Sequence, residues 1–118
     1  MTILIQATHG ADDAEKATLA FIVANVAATA DQQVKVFLTS EAVRIATHGH
    51  AATIHADGLP ALGDLVPECI GNGVELLVCA ACVGPRGIGA DDLVAGATIV
   101  TAANLVEELV GGAHTVAF

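Results

Sequence analysis

Apolar and polar positions change rhythm repeatedly along the chain. Thr2–Ala7 (TILIQA) is rich in β-branched residues and predicts a strand. Asp12 and Asp13 follow, where a helix N-terminus favours acidic side chains. Ala14 to Ala30 then reads as a helix. Leu19, Phe21, Ile22, Val23 and Val26 leave few polar faces on it, so it is expected to be covered on more than one side. Gln33–Thr39 (QVKVFLT) predicts a second strand, and Ser40-Glu41-Ala42-Val43 opens a short helix with Ser40 as its N-cap. Thr47–Pro60 reads as irregular. Ala61–Ile70 predicts a helix that Pro67 kinks or restarts, ended by Gly71-Asn72-Gly73. Val74–Cys79 (VELLVC) predicts a third strand, buried on both faces. Cys82–Gly89 is a Gly/Pro loop before a short helix at Ala90–Ala95. Ala97–Val100 predicts a fourth strand, Ala102–Val110 a helix ended by Gly111-Gly112, and Ala113–Phe118 the last strand.

Strands alternating with helices imply an α/β fold with a mainly parallel sheet and helices on both faces. With no internal repeat or linker, residues 1–118 read as one domain. Ligand and catalytic groups in such sheets gather at the carboxyl ends of the strands. Two segments qualify: Thr8–Asp13 after the first strand and Cys79–Gly89 after the third.

Composition narrows the classes. Apolar residues make up 54% of the 118 and charged residues only 14%, with a net charge of -9 and four Lys and Arg in total. That charge argues against nucleic acid, whose phosphates are gripped by basic side chains, and against anionic membrane surfaces. The most apolar stretch, Ala17–Ala30, is shorter than the roughly 18 residues of a spanning helix. The N-terminal MTILIQATHG lacks the basic start of a signal peptide. Three cysteines do not make a disulfide scaffold, so a cytoplasmic protein with reduced thiols is expected. So apolar a chain is also expected to bury part of its surface between subunits.

The sharpest chemistry is Cys79-Ala80-Ala81-Cys82, followed by Gly84, Pro85, Arg86 and Gly87. A reactive thiolate needs partial exposure, backbone N–H groups and a nearby cation, and Arg86 supplies a cation in the same loop. Two buried cysteines acting as small hydrophobes are the plain alternative. A zinc site would need Cys69 and a histidine as further ligands, and no pair has the usual spacing, so no metal or other cofactor is expected. His48, His50 and His55 fit a solvated loop. Thr8-His9-Gly10 fits a turn and helix start, and lacks the glycines and lysine of a phosphate loop. Its expected place beside Cys79 makes His9 and Gly10 candidate substrate-binding residues together with Gly84 and Gly87.

Taken together, these residues resemble the DsrE-like family of sulfur-relay proteins, which includes the YchN-like group. The likeness runs through Thr8–Asp13, VKVFLTSEAV at Val34–Val43 and Gly73-Val74-Glu75. It continues through the strand-end Cys79, then Arg86-Gly87-Ile88, then GATIVTAANLVEEL at Gly96–Leu109, to the last strand ending in Phe118. It implies a three-layer α/β/α domain with a five-stranded, mainly parallel sheet, assembled as a homotrimer or homohexamer. It also implies that Cys79 accepts sulfane sulfur as a persulfide from a donor protein and passes it to an acceptor thiol. On that mechanism Arg86 and the loop N–H groups steady the persulfide anion, and Cys82 is a candidate resolving thiol. Resolution would release sulfide and leave a Cys79–Cys82 disulfide. The best-known relay members lack a thiol at the position of Cys82 and lack Pro85, so the C-x-x-C form is more similar to the YchN-like branch. A thiol–disulfide redox module and a non-catalytic oligomeric binding protein are the competing readings.

Overall fold

The computed structural model describes residues 1–118, and its sheet follows from the β-branched runs. Five strands form: β1 (Thr2–Ala7), β2 (Gln33–Leu38), β3 (Glu75–Cys79), β4 (Ala97–Val100) and β5 (His114–Ala117). They lie in the order β4-β3-β2-β1-β5, and every adjacent pair is parallel. Parallel pairing requires a crossover after each strand. The crossovers carry α1 (Ala14–Thr29), α2 (Leu62–Gly71), a single turn α3 (Ala80–Val83) and α4 (Ala102–Val110). This is the expected α/β fold with helices on both faces of the sheet.

Strand alternation sorts the side chains between the two faces. Ile5, Val36, Leu76 and Val78 face the layer of α1 and α2, and form one buried core with Phe21, Ala24, Leu65 and Val66. The helix α1 contributes Ala17, Thr18, Ala20, Phe21 and Ala24 as a stripe at helical spacing. Its small residues let it pack against both the sheet and α2, while Val26 remains 64% exposed. Asp13 caps α1 by accepting the Lys16 N–H at 3.1 Å. Pro67 lies inside α2 and does not restart it. It costs the helix one bond, to the Gly63 carbonyl.

The opposite face carries Lys35 and Phe37. The Lys35 ammonium pairs with Glu108 of α4, which locates α4 on this side, and lies 3.9 Å from Glu75. Burial here is thinner than the sequence suggests. No residue of α4 is buried, Val106 and Val110 are exposed, and β5 is exposed along its length. In β3, Glu75 is exposed and Leu77 and Cys79 are half-buried, so the strand is not buried on both faces. A run of apolar residues states what a strand is able to bury, and beyond the buried Leu4 and Phe37 one short helix leaves much of this face open.

Two further segments differ from expectation. Ser40–Ala46 winds as a 3₁₀ helix, and Ser40 does not cap it. The cap position falls to Thr39, and Ser40 adopts a φ of 53°. The helix expected at Ala90–Ala95 is a three-residue 3₁₀ turn, Ala90–Asp92. No helix is long and apolar enough to cross a membrane.

Candidate functional site

Cys79 is the last residue of β3, and α3 begins immediately after it. Cys82 therefore sits in a helical turn rather than in the loop the sequence suggests. The turn folds the chain back so that both thiols are half-buried at the carboxyl end of the sheet. The Cys82 sulfur accepts the backbone N–H of Ser40, at the end of β2, at 3.2 Å. Burial pushes the Cys79 thiol up, and the neighbouring Cys82 thiol adds to this. The N–H groups of Cys82 and Ala81 pull the other way.

Arg86 reaches the site differently from the sequence expectation. Its Nε donates to Glu41 Oε2 at 2.8 Å, and its Nη1 donates to the Cys82 carbonyl at 3.1 Å. Neither contact is to a sulfur. Glu41 also accepts from Arg44 Nε at 3.1 Å. Two guanidinium groups thus share one carboxylate, and they hold that carboxyl below its ordinary range, Arg86 foremost. Gly84 and Gly87 shape this turn: Gly87 donates to the Gly84 carbonyl at 3.1 Å and takes a φ of 67°, which suits a residue without Cβ.

The β1 loop joins the same cluster through Gly10. A Cβ at this buried position would lie 2.7 Å from the Glu41 carbonyl oxygen, so glycine allows the two backbones to touch. Its N–H donates to Asp12 Oδ1 at 2.8 Å, and His9 Nδ1 lies 3.0 Å from Asp12 Oδ2. His9 and Asp12 hold each other beside the contact, and that hydrogen bond lowers the Asp12 carboxyl. The structure therefore gathers the ends of β1, β2 and β3, with Gly10, Ser40, Glu41, Cys79, Cys82 and Arg86 in one connected set. Sequence reasoning missed Ser40 and Glu41 as site residues. The signal available was their position directly after a strand, where α/β sheets collect their chemistry.

The remaining candidates lie elsewhere. Cys69 is buried in the core, its thiol directed at the Phe21 carbonyl and pushed up to about 12, chiefly by desolvation. His55 Nε2 meets the Leu59 carbonyl at 2.9 Å, and His50 Nε2 is buried without a partner. No three His, Cys, Asp or Glu side chains converge as metal ligands would. A cavity of about 450 Å³ lies between α2 and the Thr47–Ala52 segment, lined by Ile45, Val66, Pro67, Ile70 and Val94 among others. It includes none of the residues around the two thiols.

Comparison with known proteins places this architecture. The sequence profile of the DsrE/DsrF-like family matches residues 1–118. The protein MJ0760 of Methanocaldococcus jannaschii, named as uncharacterized, is 31% identical over 86% of this chain, which spans only 37% of that protein's length. MK0008 of Methanopyrus kandleri, likewise named uncharacterized, is 29% identical over 78% of this chain and 73% of its own. The crystal structure of the ychN protein from E. coli superposes over 100% of both chains with a TM-score of 0.81 and 17% identity. The protein MTH1491 from Methanobacterium thermoautotrophicum, described as of unknown function, superposes with a TM-score of 0.72 and 19% identity over 99% of this chain and 98% of its own.

Proposed function

Because this chain belongs to the DsrE/DsrF-like family, a family commonly engaged in sulfur relay, we propose that it holds sulfane sulfur as a persulfide on Cys79 and passes it to a partner thiol. The observation that carries this reading is the pair of half-buried thiols at the carboxyl end of β3, beside a backbone N–H and a guanidinium-bearing turn. Half-burial serves a carrier. A persulfide must stay accessible to one partner and shielded from stray thiols.

Loading is attack by a protein thiolate on the outer sulfur of a donor persulfide, with the donor leaving as a thiolate. Unloading is the same exchange with the acceptor thiolate as nucleophile. The persulfide is more acidic than a thiol and therefore anionic at neutral pH. The N–H groups of Ala81 and Cys82 favour that charge on Cys79. Arg86 works through the turn it braces, since its guanidinium is engaged by Glu41 and the Cys82 carbonyl. Donor and acceptor are thiol proteins, and the chain's net charge of -9 favours partners with a basic docking face. A homotrimer or homohexamer is part of this reading, supported by the uncovered Val106 and Val110 on α4.

Intact-mass measurement after incubation with glutathione persulfide tests the proposal. The wild-type chain should gain one sulfur atom, and a Cys79→Ser/Cys82→Ser double variant should gain none. No gain on the wild type would defeat it. Adjacent thiols also suit a thiol–disulfide module, which would instead lose two hydrogens on mild oxidation and recover them with a dithiol.

A further inference from the structure

The two thiols are not placed alike. Cys82 sulfur has a fixed donor, the Ser40 N–H at 3.2 Å. That donor is held by a backbone in the left-handed region, with a φ of 53° at a serine. Non-glycine residues enter this region at a cost, and such outliers concentrate where a site over-determines the local geometry. The carbonyl of Cys82 is also clamped by Arg86, four residues on, so a guanidinium is tied to the Cys82 turn. At Cys79 burial works against the charged form, and the N–H groups of Ala81 and Cys82 offset it only in part. In many C-x-x-C sites the first cysteine attacks; the geometry here favours the second.

We propose that Cys82 is the thiol that attacks the sulfur donor, with the Ser40 N–H seated on its sulfur, and that Cys79 receives the sulfur from Cys82. This rests on the sulfur-carrier reading above and assigns the order of events within it. In the first step the Cys82 thiolate attacks the outer sulfur of R–S–SH. The Cys82 S–S bond forms, the donor S–S bond breaks, and R–S⁻ leaves with the electron pair. The terminal S–H then loses its proton to water. In the second step the Cys79 sulfur attacks that same outer sulfur. A Cys79 S–S bond forms, the Cys82 S–S bond breaks, and the Cys79 proton passes to the departing Cys82 sulfur. The sulfane sulfur keeps its oxidation state throughout, so no external oxidant or reductant is consumed. Ser40 N–H is thus free to receive the Cys82 sulfur again for the next cycle.

Two measurements test the order. In the first, wild-type protein is treated with substoichiometric iodoacetamide at pH 7 and the modified cysteine is located by peptide mass. Cys82 should carry roughly ten times more label than Cys79. Equal labelling, or Cys79 labelled first, overturns the proposal. In the second, glutathione persulfide is mixed with Cys79→Ser and Cys82→Ser. The former should gain sulfur and retain it on Cys82, as located by peptide mass, and the latter should gain it roughly tenfold more slowly than the former. Wild-type loading by Cys82→Ser would overturn the proposal. If no chain, wild type included, gains sulfur, the carrier reading fails, and the labelling order still decides which thiol is the nucleophile.

Discussion

Glu41 is the keystone of the cluster, and neutralising it has consequences of opposite sign for stability and reactivity. The substitution Glu41→Gln keeps the shape and removes the charge that Arg44 and Arg86 share. The Glu41 side chain is 40% exposed, so solvent screens both pairs. At about 0.2–1 kcal/mol for each exposed pair, the loss at neutral pH should total about 1 kcal/mol. With a urea slope of about 1–3 kcal/mol/M for a chain of this size, the midpoint should fall by about 0.5 M. The deficit depends on pH. Glu41 titrates below its ordinary 4.5 when folded, so its contribution is intact at neutral pH and fades as pH falls through 4.5 and past the depressed folded value. Wild type and variant should therefore converge once the pH has fallen below that depressed folded value. Reactivity should move the other way, because the site gains one net positive charge. Over a separation on the order of 8 Å at an effective dielectric of about 40, that is roughly 1 kcal/mol in favour of a thiolate, or about fivefold faster alkylation at pH 7. Urea unfolding at fixed protomer concentration and timed iodoacetamide labelling provide the two readouts. An unchanged midpoint, a deficit that does not shrink as the pH falls from 7 into the acid range, or slower labelling would refute the reasoning.

Gly10→Ala forces a Cβ to within 2.7 Å of the Glu41 carbonyl oxygen; the variant should lose about 1–3 kcal/mol in urea unfolding, and wild-type stability would show that the loops separate freely. Cys69 is pushed up to about 12 from 9.0, leaving roughly 1,000-fold less thiolate at a given pH than an ordinary cysteine. Native labelling at pH 8 should therefore spare Cys69 until urea is added, and labelling at the rate of the other two thiols would contradict its burial. Asp31 follows α1 with a φ of 62°, a conformation that costs a non-glycine residue about 1–2 kcal/mol. Asp31→Gly should raise the melting temperature slightly, and a drop would show that the aspartate side chain offsets the strain.

The elements that proved legible are those with enough residues to display a period. Thr2–Ala7, Ala97–Val100 and Ala102–Val110 coincide with the expected spans, and α1 differs by one residue at its end. The turn after Cys79 is not legible in the sequence because four residues, Ala80–Val83, are too few to show a helical repeat. Glycines and a proline farther on suggested a loop instead. Arg86 was legible as a residue of the site but not in its engagement. Its partner Glu41 lies 45 residues earlier, and only the pairing of β2 with β3 makes them neighbours. Ser40 departs from the sequence expectation for a related reason. Serine before a helical stretch predicts a cap, whereas the tertiary fold places its N–H on a sulfur 42 residues away.

The pairing of cations with carboxylates also governs how reactants approach. Lys35, Arg44 and Arg86 each face an acid, leaving Lys16 as the cation outside these pairs. A small anionic sulfur compound diffusing inward therefore meets a repulsive field with few attractive centres to offset it. At low ionic strength its encounter rate is depressed, and added salt, by shortening the screening length to about 8 Å at physiological strength, relieves that repulsion. A basic protein donor experiences the reverse, since the same field draws it in and salt slows it. In the proposed relay, that field would sort sulfur donors kinetically by charge before any thiol is engaged.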